Sequence, residues 1–421
     1  MDAKPVFTDF IGENWLFLIL TKGVITLQAA LSGIRVLDLS RVLAGPFCTM
    51  ILGDLGAEVI KVEAPGGSDE TRTWGPPFKN DVSAYYLCAN RNKKSLTVNL
   101  KSEEGKEIIK KLVEQCDVII NNFKTGTMER LGLSYETLKQ INPKIVYCSI
   151  TGFGENGPYK DLPGYDFIIQ AMSGLMSITG TEESGPQKVG VAITDVLTGL
   201  YAAIGIQAAL IERSVSGEGQ KLDISLYDSA VSSLVNIASN FLMSGHIPTR
   251  LGNHHANIVP YQTFETSDGE MVIAVGNDRQ FEKLCQIIGQ EELAKDERFK
   301  TNKDRVNNRE LITQILAKAI KQKPTNYWKE QCDKANIPSG PIQNLQQVSN
   351  DPQLREREMF ITQQHPQAGK IRLVGSPLKL SKTPVKYDLH PPMAGEHTEE
   401  ILQQLGLEKG EIQSLKENKI I

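Results

Sequence analysis

The first half of the chain alternates short apolar runs with longer amphipathic segments, beginning just after Gly33. Short apolar runs are typical of buried strands, and apolar positions three and four residues apart are typical of helices. Strands that alternate with helices indicate an α/β fold with a parallel sheet, whose ligands bind beyond the carboxyl ends of the strands. The pattern predicts strands at 34–39, 57–63, 116–120 and 145–150, and helices at 41–56, 103–115 and 134–141.

The pattern changes between about Ile258 and Ile337. A short strand pair joined by a turn at Ser267–Gly269 precedes several charged helices, which is typical of a smaller α+β domain. The predicted division is an N-terminal extension of unknown role at 1–30, a first part of the large domain at 31–225, a linker at 226–257, the small α+β domain at 258–337, and a linker with a further part of the large domain at 338–421.

The extension at 1–30 does not match a common targeting segment. Its apolar run Trp15–Leu20 is much shorter than the roughly 20 residues that cross a bilayer. Acidic residues outnumber basic ones, so a secretory signal is not expected. The first arginine is Arg35, whereas a mitochondrial transit peptide is rich in arginine.

Composition excludes several classes of function. The chain has 421 residues, 40% hydrophobic and 23% charged, and a net charge of −4, so no overall basic field favours nucleic acid or anionic lipid. The six cysteines and six histidines show no metal-ligand spacing. The cysteines are therefore expected to be reduced and mostly buried, in an intracellular protein.

Familiar catalytic motifs are also absent. The chain has no GxxxxGK[ST] and no GxSxG, so neither a P-loop phosphate site nor a serine triad is indicated. The unusual residue is Asp195, a single carboxylate in the apolar stretch GVAITDVLTGLYAAIG, close to an expected helix start. Spacing alone favours a helix cap for Asp195 over a nucleophile. The two roles are compatible, because capping lowers the pKa of a carboxyl and keeps it ionised.

Two polar segments are further candidates for ligand contact. The segment Ala89–Ser95 contains three cations and is either a solvated turn or a phosphate site. The segment Asn121–Arg130 directly follows a predicted strand, so its polar and cationic side chains are better placed for a ligand.

Many blocks of the sequence resemble the family III CoA-transferases. They span about residues 31–421 and include LSGIRVLDLSRVLAGPFCTMILGDLGAEVIKVE, TRTWGPPF, NRNKKS, SITGFGENGPY, GYDFIIQAMSGLMSITG, GVAITDVLTGLYA, IPSGPI and GEHTEEIL. Some of these blocks, together with GNHHANIVPYQTF, look most like the members that transfer CoA between succinyl-CoA and glutarate or hydroxymethylglutarate.

The resemblance implies a fold and a reaction. The fold is a Rossmann-like large domain built from both ends of the chain, with a small domain between them, in an interlocked homodimer. The GxxxxD motif of the family falls on Asp195, which would form an acyl anhydride and then an aspartyl-CoA thioester. Coenzyme A is a substrate in this reaction, and no metal or redox cofactor is implied.

The resemblance also suggests residues that contact CoA. Ala64 and Pro163 stand where formyl-CoA transferase has basic residues, so Lys93, Lys94 or Lys124 is expected to hold the nucleotide end instead. The segment Gly252–Asn257 replaces the glycine-rich loop of formyl-CoA transferase, which argues against formyl or oxalate specificity. The contact positions that match are Val42, Leu43, Ala44, Val98, Asn122, Phe123, Arg130 and Tyr165.

Two other functions remain open on the sequence. An α-methylacyl-CoA racemase shares this fold but uses a histidine where this chain has Tyr165, a poor base at neutral pH. An inactive CoA-binding scaffold is the other alternative, against which the presence of Asp195 argues.

The acceptor site and the compartment are less sharply indicated. A dicarboxylic acceptor needs a cation for its distal carboxylate, and the candidates are Arg41 and Arg72, with His254 and His255 as weaker ones. The resemblance suggests a mitochondrial location and a bacterial source would make it cytoplasmic, while the acidic N-terminus does not look like a transit peptide.

Overall fold

The computed structural model describes residues 19–21, 24–26 and 29–421. Most of the N-terminal extension, including Trp15–Leu18 of the run Trp15–Leu20, lies outside the described residues. The rest divides into two compact units. Unit 1 contains the described residues up to Ser173 together with residues 190–233 and 356–421, and unit 2 contains residues 174–189 and 234–355.

Unit 1 is built on a six-stranded parallel sheet, which confirms the predicted α/β class. Its spatial order is 6-5-4-1-2-3, the order of a Rossmann fold. In such a sheet ligands bind where the strand order reverses, here between β1 and β4. The strands are β1 (Arg35–Asp38), β2 (Glu58–Glu63), β3 (Lys93–Thr97), β4 (Val118–Asn121), β5 (Val146–Thr151) and β6 (Lys221–Ser225).

Helices cover both faces of this sheet because its strands are apolar on both sides. On one face, helices α1 (Ala44–Asp54), α2 (Asp166–Met172) and α3 (Ile193–Ser216) contribute to a core of buried aliphatic side chains. On the other face, a second core includes Leu112, Leu138 and Leu402. The remaining helices of six or more residues in unit 1 are Glu103–Val113, Tyr135–Ile141, Leu226–Ser232, Thr398–Gln404 and Lys409–Glu417.

The end of the chain closes the edge of the sheet at β3. The backbone N–H of Ser95 donates to His397 Nδ1 at 3.2 Å, and that of Thr97 donates to Thr398 Oγ1 at 3.0 Å. Just beyond the strand, the N–H of Asn99 donates to the carbonyl of Ile420 at 2.7 Å. The C-terminal segment therefore satisfies donors that an edge strand would leave open.

Unit 2 is an α+β unit with its own core. Its antiparallel sheet comprises Tyr261–Glu265, Glu270–Ala274 and Ser339–Pro341. The core includes Phe281 and Trp328. The helices of five or more residues are Val235–Ser244, Asp278–Ile287, Asn302–Asn307, Arg309–Ile320, Thr325–Ala335, Leu345–Ser349 and Pro352–Glu356, the last of which ends at the boundary with unit 1.

The boundaries of the two units differ from the predicted division. The segment 226–257, expected to be a linker, carries the helices Leu226–Ser232 and Val235–Ser244. Leu226 and Ala230 of the first helix are buried in unit 1. This helix is therefore packed into unit 1 and is not a linker. Unit 2 also takes in residues 174–189, where Gly180–Thr181 pairs with Gly185–Pro186.

Candidate active site

Asp195 lies in the first turn of α3 but does not cap it. The helix begins after Ala192, whose side chain makes no capping hydrogen bond. Asp166 of α2 takes that role instead, because its Oδ1 accepts from the N–H of Thr194 at 2.8 Å and from its hydroxyl at 2.7 Å. No group within residues 29–421 donates a hydrogen bond to the carboxylate of Asp195. The prediction that Asp195 is a helix cap is therefore wrong.

The acidity of Asp195 also differs from the expectation. Burial, together with the smaller effect of the negative charge of Asp166, raises the pKa of the Asp195 carboxyl to about 7. The predicted lowering depended on backbone N–H donors, which Asp195 lacks. At neutral pH the carboxyl is thus divided between an acid and a poorly solvated carboxylate. A carboxylate without hydrogen bonds is a good nucleophile when it is ionised.

A glycine brings Asp195 next to the start of α1. Gly199 follows Asp195 by one helical turn and faces α1. A Cβ placed on Gly199 would lie 2.7 Å from the carbonyl oxygen of Ala44 and 3.4 Å from the backbone nitrogen of Cys48. Only glycine permits this approach of the two helices, which places the first turn of α3 against the first turn of α1.

The start of α1 has the character of an anion site. Its N-cap residue, Leu43, supplies no side-chain hydrogen bond, and the first turn contains no acidic residue. The first N–H groups of the helix are therefore left for other partners, at the positive end of the helix dipole. Leu43 and Ala44 are largely buried, whereas Val42 is partly exposed. The structure thus brings the predicted CoA contacts Val42, Leu43 and Ala44 close to Asp195.

Tyr85 is a site residue that the sequence analysis missed. It lies in the short helix Ala84–Leu87, edge-on to Trp74 with the ring centroids 5.2 Å apart. Burial raises the pKa of Tyr85 to about 12, and the charge of Asp195 is the next largest cause. Tyr85 therefore carries a protonated hydroxyl near Asp195. Its sequence context, a tyrosine pair in an apolar segment, does not distinguish it from an ordinary core residue.

The other predicted CoA contacts are spread around the carboxyl ends of the strands. Asn122 follows β4 and makes two hydrogen bonds to the backbone of Arg41. The Phe123 ring lies 5.6 Å from the guanidinium carbon of Arg41.

The remaining three predicted contacts differ in how accessible they are. Arg130 is exposed and donates to Thr127. Val98 is fully buried, and its N–H donates to the carbonyl of Glu63, so only the carbonyl of Val98 remains for a ligand. Tyr165, directly before α2, is 68% exposed.

Two of the three lysines expected at the nucleotide end of CoA are already paired. Lys93 is fully buried and donates to Asp38, Asn90 and the carbonyl of Pro46. Lys94 pairs with Glu400 at 2.7 Å. Lys124 is exposed. The expectation of a phosphate contact is therefore wrong for Lys93, whose ammonium group reaches only protein atoms, and Lys124 is the better candidate.

The two arginines considered for the acceptor also differ in how far their guanidinium groups are already bonded to protein partners. The guanidinium of Arg72 is occupied by Glu63, by the hydroxyl of Tyr86 and by the carbonyl of Pro392. Arg41 donates through one terminal nitrogen to Glu70 at 2.8 Å. Its Nε is buried and has no hydrogen-bond partner in the described part of the chain. Arg41 is therefore the arginine with capacity for a ligand. His254 and His255 belong to unit 2.

Several known proteins are similar to this chain. The profile of CoA-transferase family III matches residues 31–398. The chain is 45% identical over 381 residues to succinate–glutarate CoA-transferase of Agrobacterium fabrum, covering 89% of this chain and 95% of that protein. It is 45% identical to human succinyl-CoA:glutarate CoA-transferase, covering 89% and 86% of the two chains.

A solved structure agrees with this similarity. A CaiB/BaiF family protein from Brucella suis superposes with a TM-score of 0.80 at 46% identity, covering 90% of this chain and all of that one. The family, the α/β fold class and the enzyme class expected from the sequence are thereby confirmed. The chain belongs to CoA-transferase family III and is a CoA-transferase.

Proposed function

We propose that this enzyme transfers CoA from succinyl-CoA to glutarate or a closely related dicarboxylate, with Asp195 as the nucleophile. The observation that carries the proposal is the position of Asp195: a partly buried carboxylate without hydrogen bonds, beside the uncapped start of α1. The substrates are suggested by relatives 45% identical to this chain, which are named for succinyl-CoA and glutarate.

The reaction proceeds in four exchanges at Asp195. Its carboxylate oxygen attacks the thioester carbon of succinyl-CoA, and the C–S bond breaks. CoA departs as the thiolate, and a succinyl-aspartyl anhydride remains on the enzyme. The thiolate then attacks the aspartyl carbonyl, which releases succinate and forms an aspartyl-CoA thioester. A carboxylate oxygen of glutarate attacks the aspartyl carbonyl of this thioester, the C–S bond breaks, and a glutaryl-aspartyl anhydride forms as CoA thiolate departs. The thiolate finally attacks the glutaryl carbonyl, forming glutaryl-CoA and restoring the carboxylate.

Each exchange places negative charge on a former carbonyl oxygen. The N–H groups at the start of α1 and the positive end of its dipole are suited to stabilise that charge. Because the pKa of Tyr85 is about 12, its hydroxyl stays protonated at neutral pH and is suited to donate to an anionic substrate. For the distal carboxylate of glutarate we propose Arg41, whose buried Nε has no other partner among the described residues.

A substrate panel tests this assignment. With succinyl-CoA as donor, we expect glutarate and hydroxymethylglutarate to be used far better than oxalate or carnitine. The variant Arg41→Gln should raise the KM for glutarate about tenfold, the effect of losing a charge-assisted hydrogen bond, and leave the KM for butyrate almost unchanged. Equal use of all acceptors would contradict the proposed specificity. An unchanged KM for glutarate in Arg41→Gln would exclude Arg41.

The pH dependence of the rate tests the state of Asp195. Since the pKa of Asp195 is raised to about 7 and only the carboxylate attacks, kcat/KM for succinyl-CoA should rise with pH through about 7 and then level off. Removing the nearby charge with Asp166→Asn should move this midpoint to lower pH. Rates measured from pH 5.5 to 9 would contradict this assignment if they were flat or fell across neutrality.

We also propose that the enzyme is a homodimer. In unit 1, Ile204, Ile211 and Val215 on α3 are between 61% and 84% exposed, and in unit 2 Leu242 and Met243 are 79% and 86% exposed. Ile204, Ile211 and Val215 are seven and four positions apart and so share one face of α3, and exposed apolar side chains grouped on one face are typical of protein interfaces. By length and composition alone α3 is also apolar enough to cross a bilayer, a property shared with core helices. A solution mass of 46.5 kDa, that of one chain, would contradict the dimer.

A further inference from the structure

The segment Ser40–Val42 joins β1 to α1 at the point where the strand order of the sheet reverses. Side chains from three other elements hold its backbone. The N–H of Arg41 donates to Asn122 Oδ1 at 2.8 Å, and Asn122 Nδ2 donates back to the carbonyl of Arg41 at 2.6 Å. Lys61 Nζ donates to the carbonyl of Ser40 at 3.0 Å, and the N–H of Val42 donates to Asp69 Oδ1 at 3.2 Å. We call Asn122, Lys61 and Asp69 the backbone clamp.

The clamp holds a conformation that the segment does not favour by itself. Val42 has a φ of +70°, in the left-handed region. A β-branched residue is strained there, because its Cβ crowds the following carbonyl. Strain of this kind persists only where the surroundings impose it, and it clusters at functional sites. The two hydrogen bonds of Arg41 and the bond of Val42 are the surroundings that impose it here.

The ion pair within the clamp is completely buried. Lys61 and Asp69 have no exposed side-chain surface, and their charged atoms lie 2.8 Å apart. Asp69 is fixed in turn by the backbone N–H and the hydroxyl of Thr71. Burying two charges contributes little net stability, and in some proteins such a pair serves to fix a particular geometry. The geometry fixed here is the chain just before the uncapped start of α1.

We infer that Asn122, Lys61 and Asp69 are positioning residues for the acyl-CoA substrate: they hold Val42 in its left-handed conformation, so that the start of α1 faces the substrate beside Asp195. This inference rests on the proposed function, in which CoA passes the start of α1. It also changes the role expected for Asn122. Both polar atoms of its side chain are hydrogen-bonded to the backbone of Arg41. Asn122 therefore acts on CoA through the backbone of Arg41 and Val42.

Replacing Asn122 by alanine tests the clamp. We expect Asn122→Ala to raise the KM for succinyl-CoA about tenfold, the effect of one or two lost hydrogen bonds. Asp69→Asn, which keeps the shape of the side chain but breaks the ion pair, should act in the same direction. Equal KM values for succinyl-CoA in the wild type and in both variants would overturn the inference.

Asn142→Ala is the matched control. Asn142 also bridges backbone groups, since its Nδ2 donates to the carbonyls of Val113 and Cys116 at 2.9 Å, but it lies among the helices of the opposite face of the sheet. Asn142→Ala should lower the melting temperature at least as much as Asn122→Ala while leaving the KM for succinyl-CoA unchanged. If Asn142→Ala raised this KM equally, the effect of Asn122→Ala would be one of general stability, and the inference would fail.

A double-mutant cycle identifies Val42 as the point of action. Glycine adopts positive φ without strain, so Val42→Gly reduces the need for the clamp. The loss of affinity in Asn122→Ala should therefore be smaller in the Val42→Gly background, and strictly additive effects would overturn the inference.

Calorimetric titration with free CoA separates this inference from the proposed function. If the wild-type enzyme did not bind CoA, the proposed function would fail. If the wild type and Asn122→Ala bound CoA equally well, only the clamp inference would fail.

Discussion

Replacing Asp195 by asparagine is expected to reduce CoA transfer at least about a thousandfold, because the amide cannot form the acyl anhydride. The variant should still fold. Asp166, not Asp195, bonds the first turn of α3, so no cap is lost. Steady-state assays with succinyl-CoA and glutarate, at pH 8 where the wild-type carboxyl is mostly ionised, give the comparison.

The stability of Asp195→Asn has an expected sign that serves as its control. The pKa of Asp195 is about 7 in the folded protein and about 3.9 in an unfolded chain, so the folded state binds more protons between these values. Ionised Asp195 therefore lowers the free energy of unfolding above pH 7. The melting temperature of Asp195→Asn at pH 8 should equal or exceed that of the wild type, which would show that lost activity is not lost folding.

Chemical trapping gives the same hypothesis a direct readout. Incubation of the wild type with succinyl-CoA and hydroxylamine should yield a hydroxamate on the peptide that contains Asp195, found by mass spectrometry. Asp195→Asn and Asp195→Ala should show no such modification. Substantial transfer by either variant, or trapping at another carboxyl, would exclude Asp195 as the nucleophile.

Gly199→Ala should have the second-largest effect, although the residue contacts no substrate in the proposed mechanism. The new methyl group would lie 2.7 Å from the carbonyl oxygen of Ala44, closer than van der Waals contact allows, so α1 and α3 must move apart. Displacing reacting groups by about 1 Å costs on the order of a hundredfold in rate. We expect kcat to fall by about that factor, measured in the same assay.

A second glycine provides the control for Gly199→Ala. Gly410 lies in the helix Lys409–Glu417, and a Cβ there would meet no atom within 4 Å. Gly410→Ala should therefore keep full activity, and its melting temperature should not fall. If Gly199→Ala retained wild-type kcat, the close packing of the two helices would not be what positions Asp195.

The sequence was informative where the signal is local. Short apolar runs located four strands of the sheet, and the motif around Asp195 located the candidate nucleophile. The misjudged features depend on contacts distant in the chain. The cap of α3 comes from Asp166, 28 residues before the Thr194 that it bonds. The buried surroundings of Lys93 include Asp38, 55 residues away. Neither the pKa of Asp195 nor the occupied guanidinium of Arg72 can be read from neighbours in the sequence.

The C-terminal segment that closes the edge at β3 bears on how the chain is synthesised. The side chains of His397 and Thr398 accept hydrogen bonds from backbone N–H groups about 300 positions earlier, and the carbonyl of Ile420 accepts from the N–H of Asn99. The edge of β3 therefore stays unpaired until these residues, some 300 positions later, have been synthesised. During that interval unit 1 exposes a strand edge that could pair with other chains, so the folding of this unit depends on a late-made segment reaching it before another chain does.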